Sequence, residues 1–104
     1  MGRRIVGTDG PGSPLRPVGA VSFDIAARFG DNLARVRREA GVSQDELSVR
    51  ASVHRTEISQ LERGLRVARI DTLIKLAASL EANPEELLEG IEWQPGETRR
   101  GQFT

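Results

Sequence analysis

Apolar residues recur at helical spacing through the middle of the chain. Phe29, Leu33, Val36 and Ala40 lie three or four positions apart, which places them on one face of a helix. Four shorter segments with similar spacing follow. No stretch of useful length alternates strictly between apolar and polar residues, as a half-buried strand would. The pattern therefore predicts an all-α fold of five short helices over residues 23–91.

Residues that favour helix ends mark the boundaries of these segments. Gly41 suits the left-handed C-cap that would end the first helix. Ser43 and Glu46 have capping-box spacing at the start of the second helix, where each side chain can bond the other's backbone amide. Asn83 followed by Pro84 is a typical start for the fifth helix. The helices are thus predicted to be short and closely connected.

The spacing also predicts which side chains face the core and how the second and third helices connect. The inward positions predicted for the last four helices are Leu47, Ala51, Ile58, Leu61, Ile70, Leu73, Ala77, Leu80, Leu87, Leu88 and Ile91. The second helix is predicted to end near Ala51 and the third to begin near Arg55. A connection of about three residues sets two helices at a steep angle, as in a helix-turn-helix.

Composition limits the chemistry that the chain can carry. Its 104 residues include no cysteine and one histidine, His54. Disulfides, thiolate metal ligands and cysteine nucleophiles are therefore excluded, and a cluster of histidine ligands is not available. No paired carboxylates at a recognisable site and no glycine-rich phosphate loop are evident. We therefore expect a protein that is not an enzyme, with no catalytic residues, no metal site and no cofactor.

The two ends of the chain differ in composition from the middle. Residues 1–22 contain five glycines and three prolines and are predicted to form a flexible arm. Residues 92–104 are predicted to form a short polar tail with Trp93 as its anchor. No apolar run approaches the ~20 residues that cross a bilayer, so we expect no membrane association and a cytoplasmic protein.

Charge is balanced overall but unevenly distributed. The formal net charge is zero, which excludes a uniformly basic surface. Residues 28–69 carry nine arginines against six acidic residues, whereas residues 70–92 carry one lysine against six. The sequence thus predicts a basic and an acidic half. Ordinary solvated helix faces would explain the same charges.

Residues 29–91 resemble the lambda-repressor/Cro-like helix-turn-helix family, also called the XRE family. The segments that carry the resemblance are Leu33-x-x-Val36-Arg37, Ala40-Gly41-Val42-Ser43-Gln44-x-Glu46-Leu47, Ala51-Ser52-Val53, Ile58-Ser59-Gln60-Leu61-Glu62-Arg63-Gly64 and Leu73-Ile74-Lys75-Leu76-Ala77. The chain departs from the family at Ser52, where glycine is usual, and at Ala68, where proline is common. A left-handed backbone at Ser52 would cost on the order of 1 kcal/mol relative to glycine. The loop 65–69 is expected to be looser than usual.

The resemblance implies double-stranded DNA as a partner, with the third helix in the major groove. With Ile58 and Leu61 turned inward, the opposite face of this helix is polar. The base contacts that the resemblance implies are Arg55, Thr56, Ser59 and Gln60. Arginine can pair with guanine, glutamine with adenine, and a threonine methyl can touch the methyl of thymine. Any exposed helix would also be polar, so this residue set depends on the matched motif.

The resemblance also implies backbone and structural contacts. The implied phosphate contacts are Ser43, Gln44, Arg63, Arg66 and Arg69. Ser43 and Gln44 open the second helix, whose free amides and dipole attract a phosphate, although plain capping is an alternative for Ser43. Arg37 and Glu62 are implied to form a structural ion pair between the first and third helices. His54 is expected at the N-cap of the third helix, either as a merely exposed side chain or as a turn histidine near a phosphate.

The function implied by the resemblance is transcriptional regulation in the bacterial cytoplasm, at the nucleoid, by a repressor that binds a palindromic operator. A palindromic operator requires a protein with two-fold symmetry, so a homodimer is expected. The apolar residues available for the dimer surface or the core are Ile74, Leu87, Leu88, Ile91 and Trp93. Feedback control of a restriction-modification system is one possible setting. An antitoxin that neutralises a toxin partner and regulates its own operon is the alternative.

Arg3 and Arg4 of the N-terminal arm would either enter the minor groove or lie in an untethered tail.

Overall fold

The computed structural model describes residues 24–96, which form five helices and no strand. The helices are α1 (Ile25–Glu39), α2 (Gln44–Ala51), α3 (Arg55–Glu62), α4 (Ile70–Ser79) and α5 (Pro84–Leu87). The predicted all-α, five-helix fold is confirmed. The predicted N-terminal arm, residue 23 and the last eight residues of the predicted tail lie outside the described residues. Residues 92–96 of that tail are exposed and not helical.

Side-chain caps begin α1 and α2, and a left-handed glycine follows the end of α1. The Asp24 carboxylate accepts a hydrogen bond from the Ala27 amide at 3.1 Å and caps α1. At the start of α2, the Ser43 hydroxyl accepts from the Glu46 amide at 3.0 Å. The Glu46 carboxylate accepts from the Ser43 amide at 2.9 Å, which completes the predicted capping box. The left-handed backbone of Gly41, with φ of +74°, lets the chain turn from α1 toward α2.

One aliphatic core joins all five helices. α1 packs against α3 and α5, α2 packs against α3 and α4, and α4 packs against α5. The buried side chains of this core are Phe29, Leu33, Val36, Val42, Leu47, Ala51, Val53, Ile58, Leu61, Leu76, Ala77, Leu80 and Leu87. α3 is anchored in this core by Ile58 and Leu61, whereas Arg55 and Thr56 in its first turn are exposed.

Three of the predicted inward positions are wrong. Ala40 is exposed because α1 ends at Glu39 and Ala40 is its C-cap. Ile70 is 77% exposed because it opens α4 on the side away from the core, and Leu76 is fully buried instead. Leu88 is exposed because it lies just past the end of α5. Ile91 is partly buried and packs against the core.

Gly30 allows α1 and α3 to approach each other closely. A Cβ atom at this position would lie 2.3 Å from the Leu61 carbonyl oxygen and 2.7 Å from that of Glu62. These atoms belong to the backbone of α3, so no side-chain rotation would relieve the overlap. A glycine in a helix interior costs about 1 kcal/mol relative to alanine, and here it is required by the packing of the two helices.

A buried asparagine holds the chain after α5 against α1. Asn32 is 2% exposed, and its Nδ2 donates to the carbonyl oxygens of Leu87 and Glu89, each at 2.9 Å. Arg35 donates to the Asn32 Oδ1 and to the Glu89 carboxylate, both at 3.2 Å. Arg28 donates to the Glu89 carbonyl oxygen at 3.3 Å. These contacts fix the segment that carries Leu88 and the tail.

Within residues 24–96, the longest and most apolar helices still fall short of what a membrane crossing requires.

Candidate nucleic-acid interface

A tight turn of three residues sets α3 at an angle to α2. Ser52 has φ of 56° and ψ of 44°, the left-handed conformation for which glycine is usual. The Val53 amide donates to the Ser48 carbonyl oxygen at 3.2 Å, and the Val53 side chain is buried in the core. The turn is therefore anchored on both sides, and the serine adopts the strained backbone that the sequence predicts.

The two faces of α3 differ sharply. Ile58 and Leu61 are fully buried. The residues expected to contact bases lie on the opposite side: Arg55 and Thr56 are exposed, and Ser59 and Gln60 are half-buried. His54, the N-cap, is exposed and makes no capping hydrogen bond with its side chain. The N-terminal end of α3 thus presents a polar surface with donors and acceptors.

Two of these polar side chains have partners on neighbouring elements. The Arg55 Nε lies 3.0 Å from the Asp45 Oδ1, and the two side chains are 62% and 79% exposed. The Arg66 Nη1 donates to the Gln60 Oε1 at 3.0 Å, which brings the loop after α3 over the helix. Arg55 and Gln60 thus each have a polar partner within the protein.

The residues expected to contact phosphates lie at the start of α2, at the C-cap of α3 and in the loop that leads to α4. Ser43 caps α2, and the Gln44 Nε2 donates to the Glu62 Oε1 at 3.0 Å, so the Gln44 side chain supports α3. Arg63, at the C-terminal end of α3, donates to the Ser59 carbonyl oxygen at 3.4 Å. Arg69 is exposed and pairs with Asp71, with 3.3 Å between Nε and Oδ1. Gln44, Arg63 and Arg66 thus contact residues of α3, whereas the partners of Ser43 and Arg69 lie on α2 and α4.

Arg37 and Glu62 form a nearly buried ion pair between α1 and α3. Their side chains are 12% and 6% exposed, with 2.5 Å between Arg37 Nε and Glu62 Oε2 and 3.0 Å between Nη2 and Oε1. The Arg37 Nη1 also donates to the Val42 carbonyl oxygen at 2.9 Å. The hydrogen bonds that Arg37 donates to the Glu62 carboxylate raise the pKa of Arg37, burial opposes this, and the charge of Glu62 adds to it.

Three residues that sequence reasoning did not single out shape this region. Gly30 sets the approach of α3 to α1, Asn32 fixes the end of α5, and Asp45 contacts Arg55. A glycine in a helix interior is the signal that could have revealed the first. The partners of Asn32 and Asp45 come together only in the fold. Among residues 24–96, no group of histidine and acidic side chains is arranged to hold a metal ion.

Sequence comparison places these features in a known family. The family model described as helix-turn-helix matches residues 33–87. The chain is 37% identical over 77 residues to y4dJ of Sinorhizobium fredii, named as an uncharacterized HTH-type transcriptional regulator. That match covers 74% of this chain and all of the relative. The control protein C.BamHI of Bacillus amyloliquefaciens is 33% identical over 67 residues, which cover 64% of this chain and 83% of that protein.

Solved structures give the same assignment. The restriction-modification controller protein C.AhdI of Aeromonas hydrophila matches with a TM-score of 0.58 and 32% identity, over 60% of this chain and 94% of that one. The hypothetical transcription factor NHTF of Neisseria matches with a TM-score of 0.59 and 31% identity, over 62% and 73% of the two chains. The chain therefore belongs to the lambda-repressor/Cro-like, or XRE-type, helix-turn-helix family of DNA-binding transcriptional regulators, which are not enzymes.

Proposed function

We propose that this protein is a transcriptional repressor that binds a palindromic operator as a homodimer and reads each half-site with α3 in the major groove. The observation that carries the proposal is the division of α3 into two faces. Ile58 and Leu61 are fully buried, while the opposite face is polar and accessible at its N-terminal end. A major groove about 12 Å wide admits one such helix.

The base contacts are proposed to come from Arg55, Thr56, Ser59 and Gln60. Arg55 is the first residue of α3 and its side chain is 62% exposed, so its guanidinium can reach the edge of a guanine. Gln60 lies between one and two turns further along the helix, and its amide is held by Arg66. Thr56 and Ser59 lie on the same polar face of α3, and each is proposed to contact a base or a phosphate.

The phosphate contacts are proposed to flank this helix. The first turn of α2 has the positive end of the helix dipole, and the amides of Gln44 and Asp45 take no part in the capping box of Ser43 and Glu46. Arg63, Arg66 and Arg69 follow α3, and all three are exposed. Arg37 and Glu62 are proposed to act structurally instead, because their nearly buried side chains satisfy each other.

The dimer surface is proposed to lie on α4 and the segment after α5. Exposed apolar side chains in this region are Ile70, Ile74, Leu88 and Trp93. Ile70 and Ile74 are one helical turn apart on α4, which packs against α2 and α5. Leu87, which the sequence left open as a dimer or core residue, is fully buried and belongs to the core.

Feedback control of a restriction-modification system is the setting that the comparisons favour. Two of the similar proteins are named as a control protein and a restriction-modification controller. The antitoxin alternative rests on the acidic charge of residues 70–92 and on the exposed Trp93, which together would form the partner surface. The neighbouring open reading frame distinguishes the two, since a methyltransferase supports the controller and a small toxin supports the antitoxin.

Selection of binding sites from random duplexes at physiological salt tests the proposal. We expect two enriched half-sites related by a two-fold axis, with centres separated by about one helical turn or a multiple of it. A promoter that carries the selected operator should be repressed by the protein in a reporter assay. Absence of any enriched sequence, or enrichment of a single unpaired half-site, would contradict the proposal. As a control, the Gln60→Ala variant should alter the half-site and leave the spacing unchanged.

A further inference from the structure

An acidic side chain lies on the polar face where DNA is proposed to bind. Asp45 is the second residue of α2, and its Oδ1 lies 3.0 Å from the Nε of Arg55, the first residue of α3. The pair therefore spans the turn between the two helices. Because Asp45 is 79% exposed, its carboxylate also remains accessible to an approaching ligand.

Neither stability nor DNA affinity accounts for this arrangement. An ion pair between two exposed side chains contributes little to folding. An acidic residue in the first turn of α2 interacts favourably with the helix dipole, but that effect does not require a contact with Arg55. A carboxylate near the N-terminus of α2 repels the phosphates that are proposed to bind there, so its charge weakens binding to DNA of any sequence.

The geometry of the pair instead suits a role in orienting the Arg55 side chain. The closest contact is made through Nε, so the two terminal nitrogens, Nη1 and Nη2, remain able to donate. Those two nitrogens form the fork that pairs with O6 and N7 of guanine. An arginine side chain that is ordered before binding loses less conformational entropy when it pairs with the base.

We propose that Asp45 is a specificity-determining residue that positions Arg55 for guanine. It holds the guanidinium through Nε and, by repelling phosphates, opposes a contact of Arg55 with the DNA backbone. The protein thereby gives up affinity for random DNA and gains discrimination at one base pair. This inference rests on the proposed function, in which α3 enters the major groove.

The test compares Asp45→Asn with the native protein on three duplexes of equal length. The first duplex is the selected operator, and the third has a random sequence. The second is the operator with a substitution at the base pair for which Arg55→Ala reduces the preference of the protein. We expect discrimination between the first two to fall by about twofold to fivefold, since an exposed ion pair contributes no more than this. Binding to the random duplex should tighten by about twofold to fivefold, because one repulsive charge is removed.

Two further variants separate positioning from charge. Glu85→Gln removes the same charge from the first turn of α5, which packs on α1 and α4, and should leave discrimination unchanged. Asp45→Glu keeps a carboxylate within reach of Arg55 and should retain most of the discrimination. The thermal midpoints of all variants should stay within a few degrees of the native value, so that changes in binding are not due to unfolding.

The outcomes distinguish failure of this inference from failure of the proposed function. If Arg55→Ala relaxes a base pair and Asp45→Asn does not, Asp45 has no positioning role and the inference is overturned. If Asp45→Asn tightens binding to all three duplexes equally, Asp45 acts only through its charge, which also overturns it. If Arg55→Ala itself relaxes no base pair, both this inference and the proposed reading of DNA by Arg55 are wrong.

Discussion

Glu62 is the residue on which the position of α3 depends most directly. Its carboxylate accepts hydrogen bonds from Arg37 on α1 and from Gln44 on α2, while Glu62 itself lies on α3. With its side chain 6% exposed, Glu62 joins three helices at a nearly dry site. The raised pKa of Arg37 means that its charge stabilises the fold at every pH below the ordinary arginine range. That contribution is lost only as the pH rises through the raised value.

The first prediction concerns this carboxylate. Glu62→Gln should lower the free energy of unfolding by about 2–4 kcal/mol, because it leaves the nearly buried Arg37 charge without its partner. Urea unfolding followed by circular dichroism measures the change. Glu57→Gln on the same helix is the control and should alter stability by less than about 0.5 kcal/mol. Equal effects of the two variants would show that the ion pair does not hold α3 in place.

At the scale of elements, the contact between α1 and α3 depends on Gly30. The backbone carbonyls of Leu61 and Glu62 occupy the space that a side chain would need. The last turn of α3 therefore lies directly on the backbone of α1, and the polar face of α3 is set by this contact.

Gly30→Ala should destabilise the protein by about 1–3 kcal/mol, since the two helices must separate to admit the methyl group. Gly41→Ala is the matched control, because nothing lies within 4 Å of the place that its methyl group would take and only the left-handed backbone, with φ of +74°, resists the change. That conformational cost is about 1 kcal/mol. Thermal unfolding of both variants measures the difference. If Gly30→Ala proves no less stable than the native protein, the close approach is not required.

The sequence predicts the helices and the outward face of α3 because local signals determine them. The capping box of Ser43 and Glu46, the spacing of Ile58 and Leu61, and a connection of three residues need no information from distant parts of the chain. The inward face of α4 is different. Apolar residues cover a broad side of this helix that includes both Ile70 and Leu76, and its packing against α2 and α5 decides which of the two is buried.

At the scale of the whole molecule, α1 connects the proposed DNA surface to the proposed dimer surface. One end of this connection is the Arg37–Glu62 ion pair, and the other is the contact of Asn32 with the carbonyls of Leu87 and Glu89. No sequence pattern predicts the second contact, because its acceptors are backbone atoms more than fifty residues away. The Asn32 amide thus adds to the core a specific contact that fixes the segment after α5 against α1.

Asn32→Asp should detach the chain after α5 from α1, because a carboxylate would face two carbonyl oxygens. We expect the free energy of unfolding to fall by about 1–3 kcal/mol. We also expect faster exchange of the amide hydrogens of residues 87–91. Asn83→Asp makes the same chemical change at an exposed N-cap, where aspartate also caps well, and should be close to neutral. Unchanged exchange after α5 in the Asn32 variant would contradict this role of the buried amide.

The uneven charge of the molecule predicts how binding depends on salt. Arg69→Ala should weaken binding to specific and random duplexes alike and reduce the slope of log K against log salt by about one unit. Lys75→Ala removes a positive charge from α4, in the acidic half of the chain, and should leave the slope unchanged. Measurements of affinity at several salt concentrations provide both slopes. An unchanged slope for Arg69→Ala would exclude a phosphate contact at this residue.

The central claim is that the exposed polar face of α3 reads base pairs, and Arg55→Ala tests it most directly. Affinities of the native protein and the variant are compared on the selected operator and on a random duplex at the same salt concentration. We expect a loss of about 1–3 kcal/mol in binding free energy on the operator, a smaller loss on the random duplex, and a weaker preference at one base pair. Equal losses on both duplexes, with the preference at every base pair intact, would contradict it.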